Sequence, residues 1–212
     1  MINEASTKTY INNSQIIIAK RFLKLQTLYT NSIHDIIKVY DKLLDKESVL
    51  KILKNKENES LLKNEFKIII SLNSENIIRG YEFYKEEDLY FYSMEFIKNQ
   101  FDLASIKSYV SDILDSFEYM HSLNFIHNDI KVNNFLFNSE KAILIDFSKA
   151  QRVVDLGQIK NEKLILSRFL IQWINVNLKI DLLGNPKSAE TYIEKKDINS
   201  LLNMFYRKNN AI

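Results

Sequence analysis

Residues 127–134 read His127-Asn128-Asp129-Ile130-Lys131-Val132-Asn133-Asn134, and residues 145–148 read Ile145-Asp146-Phe147-Ser148. An Asp, a Lys two positions on and an Asn five positions on share one short polar stretch. Twelve residues past that Asn, a second Asp closes an apolar run. These residue types meet the needs of phosphoryl transfer. One carboxylate orients a hydroxyl and accepts its proton. An Asn oxygen and a second carboxylate hold Mg²⁺ on a triphosphate, and a lysine offsets charge on the transferring group. Asp and Asn are also ordinary turn residues. Lys131 beside them and a carboxylate ending Ile143-Leu144-Ile145 argue for the chemical reading, because a buried carboxylate without a partner is costly.

The pattern on either side sets the architecture. Upstream, Ile106, Tyr109, Val110, Ile113, Leu114, Phe117 and Met120 recur at helical spacing and predict an amphipathic helix over 106–123. Downstream, 135–137 and 142–147 read as short strands, and 162–178 and 192–208 read as helices. The first part of the chain differs. Short β-prone runs at 22–29, 34–44, 48–53, 77–84 and 89–97 are separated by polar turns. Between them, 57–72 carries Leu61, Leu62, Phe66, Ile69 and Ile70 at helical spacing, read as a core-facing stripe. The expected fold class is α+β: five antiparallel strands with one helix over 21–97, then a mainly helical part over 98–212. Residues 1–20 are mixed and polar and read as a loosely packed lead-in.

Composition narrows the classes. The 212 residues hold 29 Lys+Arg and 27 Asp+Glu, a net charge of +2, which makes no overall electrostatic case for nucleic acid. With 46% apolar residues, a packed core is feasible. There is no cysteine, which excludes disulfides, thiolate zinc sites and Fe–S clusters, and three histidines are few for a His-rich metal site. Gly80, Gly157 and Gly184 are far apart, so neither G-x-G-x-x-G nor G-x-x-x-x-G-K-[ST] occurs. No apolar run approaches the ~20 residues of a membrane helix, and the first twenty residues lack a secretory pattern. The expectation is a soluble intracellular protein.

At this point the sequence resembles the eukaryotic-like protein kinase superfamily. Residues 127–134 are similar to the catalytic-loop form H-R-D-x-K-x-x-N, and Asp146-Phe147-Ser148 to D-F-G. Other landmarks fall in order over roughly 21–150. Val49-Leu50-Lys51 resembles the end of V-A-I-K, and Glu65 lies where the partner of that lysine sits. The segment 89–97 resembles the fifth strand and hinge. The resemblance implies a two-lobed fold with a shortened second lobe, and the cofactors ATP and Mg²⁺. It implies that Lys51 binds the α/β-phosphates and pairs with Glu65. Met94 stands at the gatekeeper position, and the Glu95 carbonyl and Ile97 amide meet the adenine edge. Asp129 is the implied catalytic base, Lys131 the γ-phosphate contact, and Asn134 and Asp146 the metal ligands. His127 braces the loop. Lys54 and Glu59 compete with Lys51 and Glu65 for their roles. His34 and His121 read as ordinary surface or packed histidines, and Trp173 as core.

Four departures stand out. The turn Leu28–His34 holds no glycine where the family has a glycine-rich loop, with Thr30, Asn31 and Ser32 as polar substitutes. Asn128 replaces Arg, which predicts no phosphorylation switch, so activity is constitutive or partner-controlled. Ser148 replaces Gly. Only 66 residues follow Asp146, with no A-P-E. The leading expectation is a Ser/Thr kinase acting on a protein substrate. The rivals are a pseudokinase or partner-activated module on the same fold, and a small-molecule kinase.

Overall fold

The computed structural model describes residues 9–12, 15–86, 88–178, 191 and 193. The chain divides into two units: Met1–Asn73 with Ile78–Phe96, and Ser74–Ile77 with Ile97–Ile212.

The first unit is an antiparallel sheet with one helix. Its strands are β1 (Thr9–Asn12), β2 (Gln15–Ile18), β3 (Phe22–Thr30), β4 (His34–Asp41), β5 (Lys46–Leu53), β6 (Gly80–Glu86) and β7 (Leu89–Glu95). They lie in the order β1-β2-β3-β4-β5-β7-β6. The five expected runs are all strands. The count is corrected to seven, because β1 and β2 lie within the stretch read as a lead-in. They are only four residues long, too short for alternation to show between polar neighbours, yet Ile18 enters the core with Phe22, Ile37, Val39, Leu50, Leu89 and Phe91.

The two faces of β7 divide the packing by simple alternation. Phe91 meets Phe22 edge-on at 5.5 Å, while its neighbour Tyr92 meets Phe66 of helix α1 (Glu59–Ser71) at 5.5 Å. The buried residues of α1 are Leu62, Glu65, Phe66, Ile68 and Ile69. Leu61 and Ile70, expected in the core, are instead 66% and 55% exposed. They fall on the flanks of the 62-65-66-69 stripe, the i, i+3, i+4, i+7 face that a helix can bury. Gly80 marks a close approach. A Cβ there would sit 2.9 Å from Ile69 Cγ2 and 3.2 Å from Phe66, so β6 passes over α1 only because this residue has no side chain.

The second unit centres on helix α2 (Ile106–Ser122), with β8 (Phe125–Ile126), β9 (Phe135–Phe137), β10 (Ala142–Leu144), β11 (Gln151–Arg152) and helix α3 (Leu156–Leu178). All seven apolar residues predicted for the α2 face are buried. β9 pairs with β10, and β8 with β11, both antiparallel. The bridges β8 and β11 are two residues each and carry no sequence signal of their own. The segment 74–77 joins this unit through Leu144 N–H to Asn76 O at 2.8 Å and a parallel bridge between Ile77 and Leu144. Trp173 stacks on Phe137 at 5.5 Å, a core residue as expected. The predicted helix over 192–208 lies outside the described residues apart from Ile193. Among the described residues, no helix is long and apolar enough to cross a membrane.

Candidate active site

In the first unit, β5 and α1 bring Lys51 and Glu65 together. Lys51 Nζ donates to both carboxylate oxygens, at 2.7 and 2.8 Å, and both residues are buried. The competing residues go elsewhere. Lys54 pairs with Asp35 at 3.0 Å, and Glu59 with Lys85 at 2.7 Å, both near the surface. Tyr92, opposite Lys51 in the β5–β7 register, donates its hydroxyl to Glu65 Oε1 at 3.1 Å. Sequence reading missed Tyr92; in a strand that reads Leu89-Tyr90-Phe91-Tyr92 it stands among apolar and aromatic residues and looks like one more core ring. Met94 lies opposite Val49, and Glu95 opposite Ser48. Glu95 Oε1 accepts from Arg79 N–H at 2.6 Å, and Glu95 N–H donates to Arg79 O at 3.0 Å. Ile97 is the first residue of the chain's return to the second unit and is partly buried.

The turn between β3 and β4 is closed on itself. Asn31 Oδ1 accepts from Ile33 N–H and His34 N–H, each at 2.8 Å, and Asn31 N–H donates to His34 O at 3.1 Å. Thr30 bonds to Asp35, and Lys54 to Thr30. Of the polar residues expected to substitute for glycine, Asn31 is turned onto the turn's own backbone and Thr30 onto the side chains of Asp35 and Lys54. Three of its N–H groups are thereby consumed.

In the second unit, the loop 127–134 gathers Asp129, Lys131 and Asn134. Lys131 Nζ donates to Asp129 Oδ2 at 2.6 Å, and Lys149 Nζ to Oδ1 at 2.9 Å. Burial pushes the Asp129 carboxyl up. The hydrogen bonds from Lys131, Lys149 and Asn134 more than reverse this and hold it well below the usual carboxylate range. Asp129 is therefore ionised at neutral pH, an acceptor able to aim a hydroxyl.

Asn134 is buried, and its Nδ2 donates to Asp129 O at 2.8 Å and Asp129 Oδ2 at 3.0 Å. Both partners are acceptors, which fixes which end of the amide is nitrogen. The oxygen is left as the end for a cation. Asn134 O also accepts from Ile145 N–H at 2.9 Å, tying the loop to the residue before Asp146. Asp146 has φ 61°, a left-handed conformation that Asp tolerates better than most residues. Ser148 does not need glycine, since its φ is not positive. One carbonyl and one carboxylate oxygen are the donors Mg²⁺ favours, with phosphate oxygens and water completing its shell. Among the described residues no cluster of three or more His, Cys, Asp or Glu could hold a metal by itself. The residues present fit a Mg²⁺ that arrives with a nucleotide.

The loop is held from below by a residue the sequence reading passed over. Glu162 of α3 accepts from His127 N–H at 2.8 Å and Asn128 N–H at 2.7 Å, and its other oxygen meets His121 Nε2 at 2.8 Å. A signal existed: Glu162 falls on the same helical stripe as Leu166, Leu170 and Trp173, all buried. His121 is thus a packed histidine. His127 is buried too, and burial lowers its pKa, keeping the ring neutral. Its Nε2 donates to Ile145 O at 3.2 Å. Asn128, at φ 61°, also takes a left-handed conformation that Asn accommodates.

Residues 32–168, more than half of the chain, match the family described as "Protein kinase domain". The chain is 32% identical over 125 residues to "Probable serine/threonine-protein kinase samkC" of Dictyostelium discoideum, covering 50% of this chain and 14% of that protein. It is 33% identical over 112 residues to "Probable cell division control protein 7 homolog 2" of Encephalitozoon cuniculi, covering 52% and 29%. With Aurora kinase of Saccharomyces cerevisiae it shares 28% over 127 residues, covering 55% and 31%. The chain spans less than a third of each of these relatives.

Proposed function

The chain belongs to the protein kinase domain family, and from that premise we propose that it transfers the γ-phosphoryl group of ATP to Ser or Thr hydroxyls of a protein substrate. The observation that carries this is the Asp129–Lys131–Asn134 group: an ionised carboxylate beside a cation, with the amide nitrogen held by Asp129 so that its oxygen is the end left for a cation. In this reading the Asp129 carboxylate accepts the hydroxyl proton as the oxygen attacks the γ-phosphorus and the bond to the leaving ADP oxygen breaks. Lys131 offsets charge on the transferring group. Lys51, held by Glu65, engages the α/β-phosphates. Met94 lines the base site, and the Glu95 carbonyl and Ile97 N–H hold the adenine edge. Asn134 and Asp146 hold Mg²⁺, which when bound neutralises the triphosphate. His127 stays neutral and braces the loop. Lys131 two residues past the base supports Ser/Thr over Tyr.

The test is incubation of the purified chain with γ-labelled ATP and Mg²⁺, alone and with a generic basic protein, beside Asp146→Ala. Label transfer that disappears in the variant is expected. No transfer, with no Mg-ATP-dependent rise in melting temperature, overturns the reading.

One observation favours a second reading. A turn whose N–H groups are consumed by Asn31 and His34 has few left for phosphates. That suits a pseudokinase, or a module that needs an activating partner protein. Binding of Mg-ATP without transfer supports it.

A further inference from the structure

We propose that Lys149 is a positioning residue for phosphoryl transfer: it aims the Asp129 carboxylate, and Asn128 holds Lys149 where it can do so. The proposal rests on the phosphotransfer reading above. Three residues form a closed clasp. Lys149 Nζ donates to Asp129 Oδ1 at 2.9 Å while Lys131 takes Oδ2 at 2.6 Å. Asn128 Nδ2 donates to the Lys149 main-chain oxygen at 3.2 Å. The segment bearing Lys149 is anchored on both sides, by Ala150 N–H to Phe147 O at 3.1 Å and by the pairing of β11 with β8.

The torsion that sets a carboxylate's plane is soft. Partners on one oxygen, Lys131 and the Asn134 amide on Oδ2, leave that plane free to turn about it. A second cation, arriving on the other oxygen from a different stretch of chain, fixes it. A base works only when its oxygen meets the attacking hydroxyl within hydrogen-bond reach, so fixing the plane bears on rate rather than on nucleotide binding. The clasp also explains the residue at 128. A short amide at left-handed φ reaches the Lys149 carbonyl directly, so the loop and the segment after Asp146 are joined with no covalent modification of either.

The experiment uses the full chain with γ-labelled ATP and a generic basic protein, comparing wild type, Lys149→Ala, Lys149→Arg, Asn128→Ala and the Lys149→Ala/Asn128→Ala double variant. Lys149→Ala should lower kcat about tenfold with KM for ATP within about twofold. Lys149→Arg should regain most of the loss. Asn128→Ala should lose less, and the double variant should be no slower than Lys149→Ala alone, because the two act in series. The Lys149 side chain is 60% exposed, so melting temperatures should hold. Should the alanine variant melt early, Lys149→Met keeps the stem and repeats the measurement. An active wild type with unchanged kcat in Lys149→Ala overturns this proposal and leaves phosphotransfer standing. A loss confined to KM for ATP also overturns it, and losses that multiply in the double variant overturn the role of Asn128. A wild type that transfers no label overturns this proposal, and one that also shows no Mg-ATP-dependent rise in melting temperature overturns the phosphotransfer reading with it.

Discussion

Each unit holds a carboxylate on lysine, and the two are built on opposite terms. In the first, Glu65 and Lys51 expose 4% and 7% of their side chains and are carried by a helix and a central strand. In the second, Asp129 has two cations, but Lys131 and Lys149 expose 49% and 60% and sit on loops. Attraction between charges grows as water is excluded, and so does the penalty for leaving one alone. The buried pair is therefore part of the fold. The triplet, whose two lysines are exposed around a largely covered Asp129, is cheap to open, which is what a base must allow if a hydroxyl is to take the place of a lysine. Ion pairs of nearly equal length thus serve different ends, and burial decides which.

The largest effect should follow Lys51→Ala. It takes the cation away from the buried Glu65 carboxylate, and should cost about 3–5 kcal/mol in urea unfolding. Lys51→Met with Glu65→Leu should regain most of that. A single variant as stable as wild type breaks the comparison. Glu162→Ala sharpens it, because this buried carboxylate lies in the second unit. Removing it strips the His127 and Asn128 N–H groups of their acceptor, at about 2–4 kcal/mol. Glu162→Gln, which keeps an acceptor oxygen, should cost less. A negligible change in both would mean that burial is not the deciding variable.

Next in size is an acid effect at Asp41 in the first unit. Burial raises its pKa, but Arg21, with Nε and Nη2 both at 2.7 Å, and the Leu43 and Leu44 N–H groups bring it below the ordinary value. A lowered folded pKa gives stability that is present above the unfolded value, about 3.9, and lost as pH falls through the folded one. Between pH 5 and pH 2, unfolding free energy measured in urea should drop further in wild type than in Asp41→Asn. Equal acid limbs would remove Asp41 from the buried class.

What was legible in the sequence follows the same division. Elements with long periodic patterns were readable: α2 from seven apolar positions, five strands from β-prone runs, and the loop 127–134 from residue types at fixed offsets. Lys51 and Glu65 pair in the sequence only through the resemblance to the kinase family, with Lys54 and Glu59 as competitors that the fold sends elsewhere. The rest depended on contacts between segments far apart in sequence. β1 and β2 are too short to show alternation. The lengths of β8 and β11 are set by each other. Leu61 and Ile70 look like core until the helix chooses which arc to bury. Nothing in the sequence singles out Lys149, and only the fold puts it on Asp129. Asn31 was expected to serve a ligand, and a neighbouring backbone claims its side chain first.

The smallest effect on stability should come from Lys131→Ala, and it is the sharpest test of the contrast. The pair is short, 2.6 Å, yet half of the lysine side chain is in water, and exposed pairs contribute about 0.2–1 kcal/mol. Asp129 would keep Lys149 and Asn134 as partners, so no charge is stranded. Urea unfolding should move by less than about 1 kcal/mol. Label transfer should nonetheless fall by a hundredfold or so, because this lysine is assigned to charge that develops on the γ-phosphoryl group and the loss is felt in the transition state. A large loss of stability would place Asp129 with Glu65 as a structural carboxylate. A small loss of stability with intact transfer would strip Lys131 of its role while leaving the geometry unchanged. Only a stable fold with crippled transfer separates the two kinds of ion pair, one that holds the chain together and one that holds a carboxylate ready.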